Sequence, residues 1–325
     1  MFKSLMIYRI GSDWSPSLSA VETALDGARF APCGATQEKS LGWSEPRGET
    51  HGPLLESIGG HWIMRLMIET KAVPGSVVQR KVQEQLDVIE ASTGRKPGKK
   101  ERKTLREDAL FALLPQAFAR QSGVWVWIDR EARLLLTDAG SQAKADDVTT
   151  SLANSLPGLS LTLLQTTVSP QAAMTEWLSV KSADELPSGL SVERECELKS
   201  TDEQKSVVRF TRHHLANDEV RKHIAEGKLP TKLALSWEGR VGFVLTESMQ
   251  LKKISFLEGV FDDNSSENDD AFDADVALST GELRKLVVDL IAALGDEQTS
   301  EMAQVLAAAS VVTATVVTAD DDPPF

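Results

Sequence analysis

The sequence predicts an α+β protein with antiparallel sheets and flanking helices. Short segments in which apolar and polar residues alternate are typical of strands, and segments with apolar residues every three or four positions are typical of amphipathic helices. Several strand-like segments are separated only by short turns, which favours antiparallel pairing. The chain has 325 residues, of which 41% are hydrophobic, so it can bury a substantial core.

The first 93 residues predict a strand and a helix, then a second strand and a second helix. Residues 3–10 alternate as a strand does, and residues 16–30 have helical spacing. Residues 61–70 predict another strand, which the Pro74-Gly75 pair ends. The helix that follows places four apolar residues on one face, namely Val78, Val82, Leu86 and Ile89.

A link and a third helix come next. Two glycines and a proline between residues 94 and 98 interrupt the helical pattern, and Thr104 and Glu107 have the spacing of a capping box. The sequence therefore predicts an exposed link over 94–103 and a helix that begins at Thr104. Beyond it, residues 124–129 and 133–138 predict a hairpin, and a helix follows over 141–156.

The second half repeats this mixture of elements. The Ser169-Pro170 pair is typical of a boundary, and residues 207–215 predict a strand before a short helix. Three antiparallel strands are predicted over 232–256, and an amphipathic helix over 281–295. We therefore expect an N-terminal α+β part over 1–168 with a basic helix-loop-helix insertion (76–118), a C-terminal α+β part with an antiparallel meander over 169–295, and a mobile tail over 296–325.

Charge is distributed unevenly along this acidic chain. The net charge is −13, yet residues 257–325 alone hold sixteen acidic and two basic residues. Residues 94–106 have the opposite balance, with one acidic residue against seven basic ones: Arg95, Lys96, Lys99, Lys100, Arg102, Lys103 and Arg106. A polyanionic partner is therefore compatible with the acidic total.

Residues 94–106 are not a phosphate-binding P-loop. Only three residues separate Gly94 from Gly98, and Lys100 stands where that motif requires Ser or Thr. The basic side chains can neutralise nucleic-acid phosphates, or they can belong to a solvated loop. Composition alone leaves both interpretations open.

The sequence contains no recognised catalytic or metal-binding motif, so its residues give no positive indication of catalysis, and we expect no cofactor and no metal. In the acidic segment 262–275, Glu267 occupies the position where a calcium loop needs glycine. Cys33 and Cys196 lack the spacing of a zinc site, and the start of the chain resembles neither a signal peptide nor a membrane span, which favours a cytoplasmic protein. Two alternatives remain open: a metal-dependent nuclease that uses the carboxylates of 262–275, and a protein-interaction adaptor that uses the apolar tail.

Several segments together resemble the recombination-associated RdgC family of bacterial proteins. They occur in the same order and with similar spacing over residues 1 to about 295: LMIYRI, FAPCG, LGW, GRKPGKKERKTLREDALFALLPQAFAR, WVWID, HIAEGKLPTKLALSWEGRVGFVL and FDADVALSTGEL. The resemblance implies a protein without enzymatic activity that binds double-stranded DNA largely independently of sequence. It also implies a horseshoe-like subunit and a ring-shaped homodimer that encircles DNA, is associated with the nucleoid and modulates the RecA recombinase.

The resemblance also assigns roles to individual residues. Phe118 corresponds to an apolar residue of a dimer interface, although Gln116 stands where the family has a basic residue. A second basic segment of the family corresponds here to Arg209, Arg212 and His213, which are implied to contact DNA together with the basic residues of 94–106.

Overall fold

The structure is a computed structural model that describes residues 1–180, 182–257 and 269–298. Within these ranges the chain forms two compact units. The first unit comprises residues 10–161, and the second comprises residues 1–9 with the described residues from 162 on. The strand pairs of each unit are antiparallel and carry helices. The prediction of an α+β fold with antiparallel sheets is therefore confirmed.

Strand β1 (Ser4–Ile10) opens the chain, and the first unit follows it. This unit contains helix α1 (Leu18–Asp26), strands β2 (Lys39–Ser44), β3 (Glu56–Ile58) and β4 (His61–Lys71), helices α2 (Gly75–Thr93) and α3 (Lys99–Leu113), strands β5 (Ala119–Asp129) and β6 (Leu134–Thr137), and helix α4 (Gln142–Ser155). Strand β4 pairs with β2, β3 and β5, and β5 pairs in turn with β6.

The long pair β4 and β5 is the centre of the first unit. Its register runs without a shift from His61 opposite Asp129 to Lys71 opposite Ala119. Both faces of the pair are largely buried over residues 61–68 and 124–129, and Trp62, Ile63 and Trp127 are among the fully buried side chains. Such burial on two sides explains why hydrophobic residues occupy consecutive positions in these strands.

The second unit contains strand β7 (Leu161–Leu163), helix α5 (Pro170–Ser179), strands β8 (Leu190–Ser200) and β9 (Val207–Thr211), helix α6 (Asp218–Ala225), strands β10 (Lys228–Trp237), β11 (Val241–Thr246) and β12 (Leu251–Phe256), and helix α7 (Asp269–Ala293). Its strands are ordered β1, β12, β11, β10, β8 and β9. Strands β10, β11 and β12 form the three predicted antiparallel strands.

Helix α7 differs most from its prediction. It begins at Asp269 rather than near 281, so the part of the acidic segment 262–275 that the structure describes is helical. The helix is anchored to the sheet at Trp237, whose Nε1 donates a hydrogen bond to Asp289 at 2.8 Å. Arg240 and Glu282 form a bidentate ion pair at 2.7 and 3.0 Å beside it. In the part of the helix before residue 281, Val276 and Thr280 are buried, and this burial stabilises the longer helix.

Candidate nucleic-acid interface

The basic residues of 94–106 lie on a pair of helices inserted between the paired strands β4 and β5. Strand β4 ends at Lys71, opposite the residue where β5 begins, Ala119. The 47 residues between them form α2, a short link, α3 and a single 3₁₀ turn over Leu114–Gln116. Gly94 ends α2 with a φ of 68°, a left-handed conformation that glycine adopts without strain.

Helix α3 begins earlier than the capping-box spacing predicted. Its N-cap is Gly98, and its first helical residue is Lys99, so the link covers only residues 94–98, of which Pro97 is buried. The prediction of an exposed link over 94–103 was wrong. Thr104 lies inside the helix, where its hydroxyl donates to the carbonyl oxygen of Lys100 at 3.4 Å. Packing against α2 favours this longer helix although lysines near a helix N-terminus interact unfavourably with its dipole.

All seven basic side chains of 94–106 are exposed, but three of them are paired with acidic residues. Arg95 forms two hydrogen bonds with Glu101 at 2.8 and 3.0 Å. This contact lowers the pKa of the Glu101 carboxyl and raises the pKa of Arg95. Looser pairs join Lys96 to Glu90 at 3.6 Å and Lys103 to Glu107 at 3.8 Å.

The other four basic residues have no ion-pair partner in the described part of the chain. They are Lys99, Lys100, Arg102 and Arg106. Arg102 is oriented by a hydrogen bond from its Nε to the carbonyl oxygen of Pro97 at 3.2 Å. Exposed cations of this kind are suited to phosphate oxygens, because no internal carboxylate competes for them.

A second basic cluster lies on the sheet of the second unit. Arg209 on β9 stands opposite Glu197 on β8, and Glu197 stands opposite Lys232 on β10. Glu197 accepts hydrogen bonds from Arg209 at 2.6 Å, from Lys232 at 3.0 Å and from Thr231 at 2.8 Å. Burial alone would raise the pKa of Glu197, but the three donors outweigh it and lower the pKa to about 2.

Strand β12 adds two lysines that the sequence analysis missed. Lys253 has a φ of 52° at a register shift between β11 and β12, and its Nζ lies 2.6 and 2.8 Å from the carboxylate oxygens of Glu195. Lys252 and Lys253 line one concavity of about 330 Å³ together with Arg209 and Lys232. On a regular strand, neighbouring side chains lie on opposite faces of the sheet, so two consecutive lysines are not expected to line the same concavity. The only sequence signal for the irregular strand was the pair of consecutive lysines in LKKISF.

Arg212 and His213 do not line this concavity among the residues that the structure describes. Strand β9 ends at Thr211, whereas the sequence predicted a strand to 215, and Arg212 follows with a φ of 55°. Nδ1 of His213 lies 2.9 Å from the carbonyl oxygen of His214, and its ring contacts Phe210 at a centroid distance of 5.4 Å. Arg212 is exposed and His213 is half-buried.

Phe118 is a large apolar side chain in contact with solvent. It follows the 3₁₀ turn, directly precedes β5, and is 95% exposed. An exposed phenylalanine contributes little to the stability of its own subunit, since almost none of its surface is removed from water. Single exposed apolar side chains are common on protein surfaces, so this exposure alone does not identify a contact with another molecule.

The structure offers no candidate metal centre within residues 1–180, 182–257 and 269–298. No group of three or more His, Cys, Asp or Glu side chains there is arranged to hold an ion. Most of the acidic segment 262–275 lies outside these ranges, so its carboxylates are not described as a site. None of the described helices is long and apolar enough to span a membrane. The expected mobile tail lies outside the described residues except for 296–298.

Fold and site define a two-unit α+β protein with two groups of basic side chains, one on a helical pair and one in a concavity of a sheet, where Glu195 and Glu197 are also part of the lining. A family model described as "Putative exonuclease, RdgC" matches residues 1–297. Proteins named "Recombination-associated protein RdgC" from Dechloromonas aromatica and Herminiimonas arsenicoxydans are 41% and 42% identical to this chain, each covering 91% of it and 98% of the relative. The chain belongs to the RdgC family.

Proposed function

We propose that the protein binds double-stranded DNA without enzymatic activity and largely independently of sequence, and that it encircles DNA as a homodimer. The observation that carries the proposal is the set of exposed basic residues on α2, α3 and their link, in a chain whose net charge is −13. Phosphates are shared by every DNA sequence, so lysines and arginines that contact them give affinity without base discrimination.

The homodimer supplies the second half of the proposed ring. The exposed side chain of Phe118 provides the apolar contact between subunits, and two-fold symmetry would double each set of cations around the duplex. If each subunit neutralises about three phosphates, the logarithm of the binding constant should fall with the logarithm of the salt concentration with a slope of about −5.

The role in recombination rests on the names of the relatives, which are called recombination-associated. A protein that covers duplex DNA competes with any recombinase that must load on the same molecule. We therefore infer that the protein modulates RecA-dependent recombination and is associated with the nucleoid in the cytoplasm.

Encirclement is tested by closing the dimer covalently. Gln116 is exposed and lies two residues from Phe118, so Gln116→Cys allows a bis-maleimide crosslink while Phe118 is kept. Cys196 is buried and burial raises its pKa to about 12, which leaves Cys33 as the native thiol to block by Cys33→Ser. The crosslinked dimer should bind linear duplex but lose binding to closed circular duplex. The same protein without crosslinker is the control, and equal binding to both forms after crosslinking would refute encirclement.

The description of the family model names an exonuclease, which favours one competing function. Incubating 5′-labelled and 3′-labelled linear duplex with the protein and Mg²⁺ or Mn²⁺ distinguishes the two. Retention of full-length strands supports a binding protein, and progressive shortening would establish nuclease activity. In the adaptor alternative, the protein should give no DNA shift even at low salt.

A further inference from the structure

A groove of about 570 Å³ lies between helices α2 and α3, and three of the eight residues that line it are arginines. Arg80 comes from α2, and Arg102 and Arg106 come from α3, where their spacing of four residues places them one turn apart on the same face. None of the side chains that line the groove is a carboxylate. In an acidic chain such a groove is an unusual concentration of one sign of charge.

The remaining lining combines amides with an apolar floor. Gln79 and Gln83 line the same side of the groove as Arg80, and the buried side chain of Leu86 contributes to its floor. Asp87 accepts a hydrogen bond from the Gln83 amide at 2.6 Å but does not line the groove. The amides can donate hydrogen bonds, so every polar side chain of this set can serve an anionic ligand.

The arginines of the groove differ from their neighbours in their pairing. Arg80 and Arg106 have no ion pair with any residue of the described chain, whereas Lys81, the next residue on α2, lies 3.9 Å from Glu84. The hydrogen bond from Arg102 Nε to Pro97 fixes one edge of that guanidinium and leaves its terminal nitrogens available. Three like charges around one groove repel each other unless an anion lies between them.

We propose that this groove binds the phosphate backbone of nucleic acid and that Arg80 contributes to DNA affinity as much as Arg102 and Arg106 do. The inference rests on the proposed function and deepens it. Guanidinium groups bind phosphate oxygens with two parallel hydrogen bonds, and a groove open along the helices accommodates successive phosphates of one strand. The most strongly held phosphates would therefore contact the groove rather than the exposed link.

Arg80→Gln and Lys81→Gln form a matched pair for the test. Each removes one positive charge at adjacent exposed positions of α2, and glutamine is a good helix former, so both variants should fold. Binding of a fluorescent 30-base-pair duplex to the full chain is measured by anisotropy from low to moderate salt. In the homodimer each substitution removes two phosphate contacts, so the salt slope should fall by about 1.8 and the affinity at 0.1 M salt by on the order of 60-fold.

We expect this decrease for Arg80→Gln and for Arg106→Gln, and near wild-type binding for Lys81→Gln. If the wild-type protein binds DNA but Arg80→Gln and Lys81→Gln have equal DNA affinities, the groove assignment is overturned and the proposed function is not. If the wild-type protein binds no duplex at low salt, the proposed function fails as well. A poly-glutamate peptide is titrated in parallel, and an Arg80→Gln effect on the peptide but not on DNA would assign the groove to acidic protein segments and refute the proposal.

Discussion

Arg95 and Glu101 form a bidentate ion pair, with Arg95 Nη1 and Nη2 lying 2.8 and 3.0 Å from the two carboxylate oxygens of Glu101. The pair joins the link after α2 to the first turn of α3. The single acidic residue of the basic stretch therefore neutralises one of its seven cations. The number of basic residues in the stretch overstates the charge available to a polyanion.

This pairing predicts unequal contributions to DNA affinity. Lys99→Gln with Lys100→Gln removes two unpaired cations and should weaken binding to all DNA sequences alike. The salt slope should decrease by about 0.9 for each phosphate that the protein no longer neutralises. Fluorescence anisotropy with two duplexes of unrelated sequence measures both effects.

The control for that experiment is Arg95→Gln combined with Glu101→Gln, which leaves the net charge unchanged. Because the two side chains already neutralise each other, we expect binding close to wild type. If both double variants lose DNA affinity equally, the ion pairing of a basic residue near α3 does not affect its contribution to binding. Unchanged binding of the lysine variant would remove Lys99 and Lys100 from the DNA interface.

Phe118→Ser should weaken dimerisation without destabilising the subunit. The side chain is 95% exposed, so its removal costs little folding free energy, whereas a buried interfacial phenylalanine contributes about 2 kcal/mol or more to association. Sedimentation at a series of concentrations measures the dimer, and thermal unfolding measures the subunit.

Val288→Ser provides the comparison for Phe118→Ser, because Val288 is an apolar residue of α7 that is 55% exposed in the other unit. It should leave the dimer unchanged. A wild-type dimerisation constant in Phe118→Ser would exclude this residue from the interface.

Glu197 predicts a specific dependence of stability on pH. Its pKa is about 2 in the folded protein, below the ordinary value of 4.5, so its contribution is fully present above about pH 4.5 and is lost as the pH falls through 2. Glu197→Gln should lower the free energy of unfolding at pH 7 by on the order of 2 kcal/mol. The difference from wild type should shrink as the pH falls below 4.5.

Urea unfolding at pH 7, 4 and 3 measures this difference. Glu203→Gln is a suitable control, since Glu203 is an exposed carboxylate in the loop between β8 and β9. A constant gap between wild type and Glu197→Gln across this range would contradict the role given to the Arg209 and Lys232 contacts.

Truncation of the chain before or after residues 296–298 should affect the free energy of unfolding differently. Glu297 forms an ion pair with Arg9 through Arg9 Nε at 2.9 Å, and main-chain hydrogen bonds join Thr167 to Asp296 and Gln298 to Gln165. A chain that ends at Gly295 cannot form these interactions and should be less stable by about 2 kcal/mol.

A chain that ends at Gln298 keeps those interactions and should have wild-type stability and DNA affinity. Thermal unfolding and duplex binding of both truncated proteins measure the outcome. Altered DNA affinity in the chain ending at Gln298 would assign a role in binding to the residues beyond it.

The fold could be predicted where local pattern and tertiary environment agree. The apolar alternation of β1 and the turns between β10, β11 and β12 were sufficient, because these features depend on neighbouring residues. The start of α3 could not be predicted, since Thr104 carries a local capping signal that packing against α2 overrides. The early start of α7 has the same kind of cause, because Val276 and Thr280 in its first part are buried in the fold.

The basic residues of 94–106 were evident from composition, but composition did not show which of them are paired with carboxylates. The pairing of Arg95 with Glu101 depends on the turn between α2 and α3, and the contribution of Arg80 depends on the packing of two helices. Lys253 contacts Glu195 beside a shift in the strand register. Each of these relationships joins residues that no periodic pattern connects.

The uninterrupted register of β4 and β5 constrains how the length of this chain can vary. Within either strand, one added or deleted residue would exchange the two faces of the sheet and turn the indole of Trp127 to the opposite side. The turn over residues 94–98 is free of that restriction, because lengthening it changes only the far end of α2 and α3. Homologues should therefore differ in length at this turn and keep a fixed number of residues in the two strands.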